Sequence, residues 1–166
     1  MIRVGIGYDS HRFGAGRRLV LGGVVIPYTL GLLGHSDADA VGHALTDAIL
    51  GAAALGDIGR LFPDTDPEWK DADSMLLLAE AHRQVQLAGW TLQQADVTVI
   101  AQAPKLAPHV PAMQDRLADV LGVGPGAISI KAKTNEGMGF LGRGEGIAVM
   151  AVATLIASLG RPSPQQ

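Results

Sequence analysis

The stretch Ile2-Arg3-Val4-Gly5-Ile6-Gly7-Tyr8-Asp9-Ser10-His11 shapes both the fold and the chemistry of this chain. Apolar residues occupy alternate positions from Ile2 to Ile6, a period of two that predicts a first β-strand. Because alternate residues of a strand share a face, Asp9 and His11 point the same way at its C-terminal end. We therefore expect this strand to present a carboxylate and an imidazole side by side.

An apolar helix follows the motif Gly34-His35-Ser36-Asp37-Ala38-Asp39. We expect Ser36 or Asp37 to cap its N-terminus and Gly56 to end it just after Leu55. Free amide groups and the positive end of the helix dipole then favour an anion such as phosphate beside this motif. The simpler role of Ser36, a helix cap, is compatible with phosphate binding.

His43 lies one turn into this helix and completes a set of possible metal ligands with Asp9 and His11. Each residue alone is ordinarily a solvated polar group, so only the set carries information. Three protein ligands leave a fourth position for substrate, which is typical of catalytic zinc. Asp47, four residues after His43 on one helix face, is either an acceptor that orients the imidazole or a surface carboxylate.

The chain has 166 residues, a formal net charge of -3 and no cysteine. This length predicts a single catalytic domain over residues 1–160 and a polar, disordered tail at 161–166. The charge argues against nucleic acid as a partner, and the lack of cysteine excludes disulfides and thiolate ligands. Neither a signal sequence nor an apolar run of about 18 residues is present, so we expect a cytoplasmic protein with no membrane partner.

Strand and helix patterns along the chain predict an α/β fold of the α+β sandwich type. Its expected core is one mixed β-sheet with helices packed on one face, which leaves the other face for self-association. The remaining elements are expected as a hairpin at 18–26, a loop at 56–70, helices at 74–88 and 108–121, strands at 96–102 and 127–133, a loop at 135–146, and a last strand, or a helix, from 147.

Two further clusters contain groups that can bind a cation, a phosphate or the edge of a base. Thr134-Asn135-Glu136 offers hydroxyl and carboxylate oxygens close to Lys131 and Lys133, a set that suits Mg²⁺ or Mn²⁺ beside phosphate. Gln102-Ala103-Pro104-Lys105 ends a strand and can expose backbone groups to a base edge, although a plain strand exit gives the same pattern. Arg143 and Glu145 form an ordinary surface ion pair by default.

Asp57, Asp64, Asp66 and Lys70 surround a loop rich in glycine and proline. Loops on a rigid scaffold often carry binding residues, so these side chains can contact substrate hydroxyls. The alternative is that the aspartates only form local turns.

Six blocks, in order and at the expected separations, closely resemble the 2-C-methyl-D-erythritol 2,4-cyclodiphosphate synthase family. The resemblance spans nearly the whole chain and is more specific than any single motif. The blocks are Gly5-Ile6-Gly7-Tyr8-Asp9-Ser10-His11-Arg12-Phe13, Gly34-His35-Ser36-Asp37-Ala38-Asp39, Leu55-Gly56-Asp57-Ile58-Gly59, Phe62-Pro63-Asp64-Thr65-Asp66, Ala101-Gln102-Ala103-Pro104-Lys105 and Gly139-Phe140-Leu141-Gly142-Arg143-Gly144-Glu145-Gly146.

This resemblance implies a homotrimeric lyase of the non-mevalonate isoprenoid pathway. Such an enzyme converts 4-diphosphocytidyl-2-C-methyl-D-erythritol 2-phosphate to the cyclodiphosphate and releases CMP. The sheets of three subunits then pack around a three-fold axis, with active sites between neighbouring subunits. The implied cofactors are Zn²⁺, or a similar transition metal, and Mg²⁺ or Mn²⁺.

The resemblance also implies roles for individual residues. Zinc ligands are expected at Asp9, His11 and His43, and a ligand of the second divalent ion at Glu136. Together with the loop analysis, it places substrate contacts at His35, Ser36, Asp57, Ile58, Gly59, Phe62, Asp64 and Lys70. Nucleotide contacts are expected at Ala101, Pro104, Lys105, Leu106, Ala107, Ala132, Lys133 and Thr134. His35 and Thr134 are also expected to stabilise the phosphates in the transition state, and Phe140 and Arg143 to line an axial cavity for an isoprenoid diphosphate.

Two other functions remain open on the sequence alone. A zinc hydrolase of phosphate esters can use the same three ligands with a metal-bound water, and it releases phosphate without a cyclic product. A trimeric, non-catalytic module for nucleotide or isoprenoid diphosphate binds CMP without metal. The presence of both metal and cytidine blocks favours the synthase.

Overall fold

The computed structural model describes residues 1–158, so the tail predicted at 161–166 lies outside the described residues. Seven strands are β1 Ile2–Gly14, β2 Leu19–Leu21, β3 Val24–Ile26, β4 Gly31–Leu32, β5 Trp90–Ile100, β6 Ile128–Lys133 and β7 Gly146–Ala157. Five of them form a sheet in the order β4-β1-β7-β5-β6, in which only β5 and β6 run parallel. β2 and β3 form a separate antiparallel hairpin. The mixed sheet predicted from the sequence is therefore present.

Five α-helices accompany the strands in the described part of the chain. They are α1 Ala40–Ala53, α2 Ile58–Leu61, α3 Ser74–Leu87, α4 Val110–Leu121 and α5 Gly139–Gly142. Short 3₁₀ helices lie at Pro67–Trp69, Ala107–His109 and Pro125–Ala127. α1 packs on β1, β7 and β5, α3 packs on α1, and α4 packs on β6. Within residues 1–158, none of the helices combines the length and apolar character needed to cross a membrane.

The backbones of β1 and α1 pack in direct contact. A Cβ atom added to Gly7 would lie 1.8 Å from the carbonyl oxygen of Ala44, and one added to Gly5 would lie 2.1 Å from that of Ala48. Glycine at both positions lets the helix backbone rest directly on the strand. The same face of β1 continues to Asp9 and His11, so this contact brings both side chains to the first turn of α1.

The opposite face of β1 is apolar and exposed. Ile2, Val4 and Ile6 are 68%, 65% and 65% exposed, and Met150 and Val152 of the neighbouring β7 are also exposed. The apolar alternation that predicts β1 therefore marks the face turned away from the helices. The buried face is instead made of glycines, because bulkier residues cannot fit beneath α1.

Asp39 caps α1, rather than the predicted Ser36 or Asp37. Its carboxylate accepts from the amides of Val41 and Gly42 in the helix and of Gly22 and Gly23 in the turn between β2 and β3. Burial raises the pKa of Asp39 to about 6, although these hydrogen bonds oppose the rise. A single side chain thus joins the start of α1 to the hairpin.

Several predicted boundaries also change. The region 56–70 contains α2 and a 3₁₀ helix, and the region 135–146 contains α5, because short helical turns need little apolar periodicity. β5 begins at Trp90 rather than residue 96. The last element, left open between strand and helix, is the strand β7.

Replacing Gly7 with alanine is expected to lower the free energy of unfolding by roughly 1–3 kcal/mol, the usual cost of overpacking. The new Cβ meets a carbonyl fixed within α1, which cannot rotate away as a side chain can. Gly51→Ala is the control, since this exposed position of α1 has nothing within 4 Å of an added Cβ. It should gain up to about 1 kcal/mol from helix propensity. Urea denaturation measures both, and equal stability of Gly7→Ala and the unsubstituted protein would contradict the close contact.

Candidate metal centre and adjoining cavities

Asp9, His11 and His43 converge at the junction of β1 and α1. Asp9 Oδ2 lies 2.9 Å from His11 Nε2 and 3.1 Å from His43 Nδ1. One ligand atom from each residue falls within 4.8 Å of the others. One carboxylate oxygen and two imidazole nitrogens are a donor set that divalent transition metals accept. The three residues therefore fit a metal ion with an open position.

The outward nitrogens of both imidazoles contact oxygen atoms of the protein. His11 Nδ1 lies 2.7 Å from the carbonyl oxygen of Leu33, which can only accept a hydrogen bond. His11 Nδ1 therefore carries the hydrogen that it donates to this carbonyl, so Nε2 is the nitrogen available to a cation at the cluster. His43 Nε2 lies 3.0 Å from Ser36 Oγ and 2.9 Å from Ser74 Oγ.

The cluster is electrostatically biased toward an ionised carboxylate. Burial acts to raise the pKa of Asp9, but hydrogen bonds and charge attraction from His11 and His43 hold that pKa well below its ordinary value. Burial acts to lower the pKa of His11, and its interactions with Asp9 reverse this and raise the pKa. The site consequently keeps one negative charge available to balance a cation.

A cavity of about 330 Å³ opens beside the cluster. His11 and His43 contribute to its wall, as do six of the predicted substrate residues that lie nearby. Its lining residues are His11, His35, Ser36, His43, Ile58, Gly59, Phe62, Asp64, Trp69 and Leu77. Trp69 and Leu77 are additions to the predicted set, and the edge contact of Trp69 with Phe62 places it there.

Two predicted substrate residues have other positions. Asp57 caps α2 by accepting from the amide of Arg60 at 2.8 Å, and it does not line this cavity. Lys70 follows the 3₁₀ helix Pro67–Trp69, also outside the cavity wall. Asp66 caps that 3₁₀ helix, as the turn alternative predicted.

The anion site expected at a helix N-terminus is not formed as predicted. α1 begins at Ala40, so Gly34-His35-Ser36 precedes it by a stretch of irregular backbone. Ser36 Oγ accepts from the amide of Ala38 at 3.2 Å instead of capping the helix. His35 and Ser36 still reach the cavity, but from a loop.

Asp47 does not contact the imidazole of His43, contrary to one prediction. Its Oδ1 accepts from the amide of Ile58 at 2.8 Å, which joins α1 to the start of α2. Both nitrogens of His43 have other partners within the described chain. The spacing of four residues between His43 and Asp47 therefore does not predict a contact between them, because α2 lies against the same face of α1 and its first amide binds Asp47.

A second cavity, of about 370 Å³, lies where β5 and β6 end. It contains every residue predicted to contact the nucleotide, together with Gln102. Its wall consists of Ala101, Gln102, Pro104, Lys105, Leu106, Ala107, Ala132, Lys133 and Thr134. The parallel pairing of β5 with β6 explains this grouping, since the carboxyl ends of parallel strands meet at one edge.

Glu136 lies in the turn after β6, two residues beyond Thr134 of the second cavity. Its Oε1 accepts from Thr134 Oγ1 at 3.2 Å, and Gln102 Oε1 accepts from the amide of Gly137 at the same distance. Asn135 donates to the carbonyl oxygen of Met138 at 2.8 Å. Glu136 is exposed and does not join Asp9, His11 and His43 within one chain.

A smaller cavity of about 180 Å³ contains Phe140 and Glu145 together with His11. Arg143 does not line it. The guanidinium of Arg143 instead donates to Glu145 at 2.8 Å, as the default surface pair predicts. The two residues expected at an axial cavity are thus neighbours, but only Phe140 faces the space.

Comparisons with known proteins agree with this geometry. A model of the YgbB family matches residues 2–156. The chain is 61% identical over 155 residues to the 2-C-methyl-D-erythritol 2,4-cyclodiphosphate synthase of Moorella thermoacetica, covering 93% of this chain and 95% of that protein.

Solved structures show the same likeness. The bifunctional IspDF from Campylobacter jejuni superposes with a TM-score of 0.92 at 48% identity, over 95% of this chain and 42% of that one. A 2C-methyl-D-erythritol-2,4-cyclodiphosphate synthase in its CDP-bound form superposes with a TM-score of 0.85 at 44% identity. The match covers 93% of this chain and 100% of that one. By the family match and these identities, the chain belongs to the YgbB family, the family of the 2-C-methyl-D-erythritol 2,4-cyclodiphosphate synthases.

Proposed function

We propose that this synthase is a CMP-releasing phosphorus–oxygen lyase of non-mevalonate isoprenoid biosynthesis, located in the cytoplasm. Its substrate is 4-diphosphocytidyl-2-C-methyl-D-erythritol 2-phosphate. The observation that carries the proposal is the convergence of Asp9, His11 and His43 beside a cavity of suitable size for the erythritol part. The identity to the Moorella synthase over nearly the whole chain supports the same substrate.

The reaction is an intramolecular phosphoryl transfer. An oxygen of the 2-phosphate forms a bond to the β-phosphorus, the bond from that phosphorus to the CMP oxygen breaks, and CMP departs with the electron pair. Both reacting groups are anions, so repulsion and poor alignment are the main barriers. No protein nucleophile is needed, and correct positioning can supply up to roughly 7–11 kcal/mol in the ideal case.

The ligands of the two cations come from two different regions of the chain. Asp9, His11 and His43 fit Zn²⁺, and Glu136 fits Mg²⁺ or Mn²⁺ as one oxygen ligand. When bound, such cations polarise the attacked phosphoryl group and offset charge on the leaving oxygens. His35 and Thr134, which line the first and second cavity respectively, would hydrogen-bond phosphate oxygens and so stabilise them in the transition state.

The remaining side chains hold the two ends of the substrate. Ser36, Ile58, Gly59, Phe62 and Asp64 line the first cavity and would surround the erythritol part. Asp57 and Lys70, also expected to contact substrate, lie outside the cavity wall in a single chain. The second cavity accepts the cytidine through backbone groups, with Lys105 and Lys133 adding positive charge. A relative at 44% identity has been solved in a CDP-bound form, which supports nucleotide binding by this chain.

The proposal includes a homotrimer whose active sites lie between subunits. The two cavities have no lining residue in common, and Glu136 is not part of the cluster in one chain. The exposed apolar face of β1 and β7 is of the kind that mediates association between copies. Three such faces around an axis also bring Phe140 and Arg143 of each copy toward a shared space for an isoprenoid diphosphate.

Incubating the protein with the cytidine diphosphate substrate and Mg²⁺ is expected to give CMP and a cyclic diphosphate, because the attacking phosphate belongs to the same molecule. ³¹P NMR distinguishes the products. Inorganic phosphate without a cyclic product would favour the hydrolase alternative, and CMP binding without turnover would favour the binding module.

Replacing Asp9 or His43 with alanine is expected to abolish zinc content and turnover while the protein stays folded, since two remaining ligands hold zinc weakly. Metal analysis by mass spectrometry, an activity assay and circular dichroism provide the measurements. His109→Ala is the matched control, because His109 lies outside the cluster and should keep both metal and activity. Turnover by a metal-free Asp9→Ala variant would refute the assignment.

Replacing Ile6 with lysine is expected to convert a trimer to monomers and to remove activity, because the buried charge opposes association and each site needs two chains. Leu76→Lys is the control, as Leu76 is 68% exposed on α3, away from this face. Light scattering gives the mass of each variant. An Ile6→Lys monomer with full activity would disprove sites formed between subunits.

A further inference from the structure

The imidazole of His43 has one nitrogen in the metal cluster and one outside it. Nδ1 lies 3.1 Å from Asp9 Oδ2 and 3.3 Å from His11 Nε2. Nε2 points the other way, toward the hydroxyls of Ser36 and Ser74. A neutral imidazole carries one N–H, so a cation can bind at Nδ1 only if the hydrogen lies on Nε2.

Ser74 has its own hydrogen engaged elsewhere. It is fully buried as the first residue of α3, and its hydroxyl donates to Asp37 Oδ1. The amide of Ser74 donates to Asp37 Oδ2 at 3.0 Å, and that of Asp39 donates to Oδ1 at 3.1 Å. A carboxylate accepts hydrogen bonds and offers none. The oxygen of Ser74 is therefore left to accept from His43.

Packing between α1 and α3 fixes this serine in place. A Cβ added to Gly42 would lie 3.2 Å from the Cβ of Ser74 and 2.9 Å from the Cε of Met75. The start of α3 thus touches α1 directly beside His43. Such a position leaves the Ser74 hydroxyl few orientations, and its bonds to Asp37 select one.

Ser36 is less suited to this task, although its hydroxyl lies at a similar distance from Nε2. Its oxygen already accepts from the amide of Ala38. Among the hydrogen bonds of residues 1–158, its hydroxyl hydrogen has no acceptor other than His43. Ser36 also lines the cavity beside the cluster, so its hydrogen is free to turn toward a bound molecule.

We propose that Ser74, oriented by Asp37, is a positioning residue that keeps the hydrogen of His43 on Nε2 and directs Nδ1 to the metal. The hydrogen bonds from Ser74 to Asp37 and from His43 to Ser74 give this metal ligand a hydrogen-bond acceptor that is fixed in place. Acceptors of this kind tune the affinity of a site for its metal. The assignment rests on the metal centre of the proposed function but not on the identity of the substrate.

The test measures the Kd for Zn²⁺ by competition with a chromogenic chelator. Ser74→Ala is expected to raise the Kd about 10–100-fold, as loss of an outer acceptor does in other metal sites. Asp37→Asn should raise it less, because the amide oxygen can still accept from Ser74. Thr46→Val is the matched control, since Thr46 is a buried residue of α1 whose hydroxyl donates to Gly42 rather than to His43.

A spectroscopic measurement tests the same point without substitution. In the zinc-loaded protein, ¹⁵N NMR of the histidine rings should show His43 protonated at Nε2 and bound through Nδ1. Binding through Nε2 would overturn the proposal, even if Ser74→Ala fails to fold. So would a folded Ser74→Ala variant with an unchanged Kd. Absence of zinc binding by the unsubstituted protein would refute the metal centre itself, whereas absence of a cyclic product would leave this result standing.

Discussion

The direct contact between the backbone of α1 and the glycines of β1 is the constraint on which the site depends. Gly5 and Gly7 let two helix carbonyls approach to distances that no side chain permits. His43 is the neighbour of Ala44, whose carbonyl rests on Gly7, while Asp9 is two residues further along the strand. The distance between strand and helix thus sets the distance between the carboxylate and the imidazole.

The candidate metal centre orients its ligands with oxygen atoms of the backbone and of serine side chains. The backbone carbonyl of Leu33 contacts the outer nitrogen of His11, and the hydroxyls of Ser36 and Ser74 contact that of His43. These contacts leave the inner nitrogens, His11 Nε2 and His43 Nδ1, directed at the carboxylate of Asp9. A second cavity, at the end of β5 and β6, lies apart from this point. In the proposed trimer, the two cavities that serve one substrate molecule belong to neighbouring subunits.

Local patterns were sufficient for much of the fold and the site. Alternation in β1 predicts that Asp9 and His11 share a face, as they do. The residues expected around a nucleotide come instead from the family resemblance, and they lie together where parallel β5 and β6 end. Contacts between segments that are distant in the sequence could not be predicted from these local patterns. Asp39 outcompetes Ser36 and Asp37 as the cap because the hairpin turn adds two further donors. Ser74 reaches His43 only because α3 packs on α1, a contact with no signature in the residues around either one.

The carboxylate of Asp39 also links the opening of two segments. Its four amide partners lie in the hairpin turn and in the first turn of α1, so separating either segment strands a buried charge. We therefore expect the two segments to open together rather than singly. The loop carrying His35 and Ser36 lies between them in the sequence, so it is held at both ends.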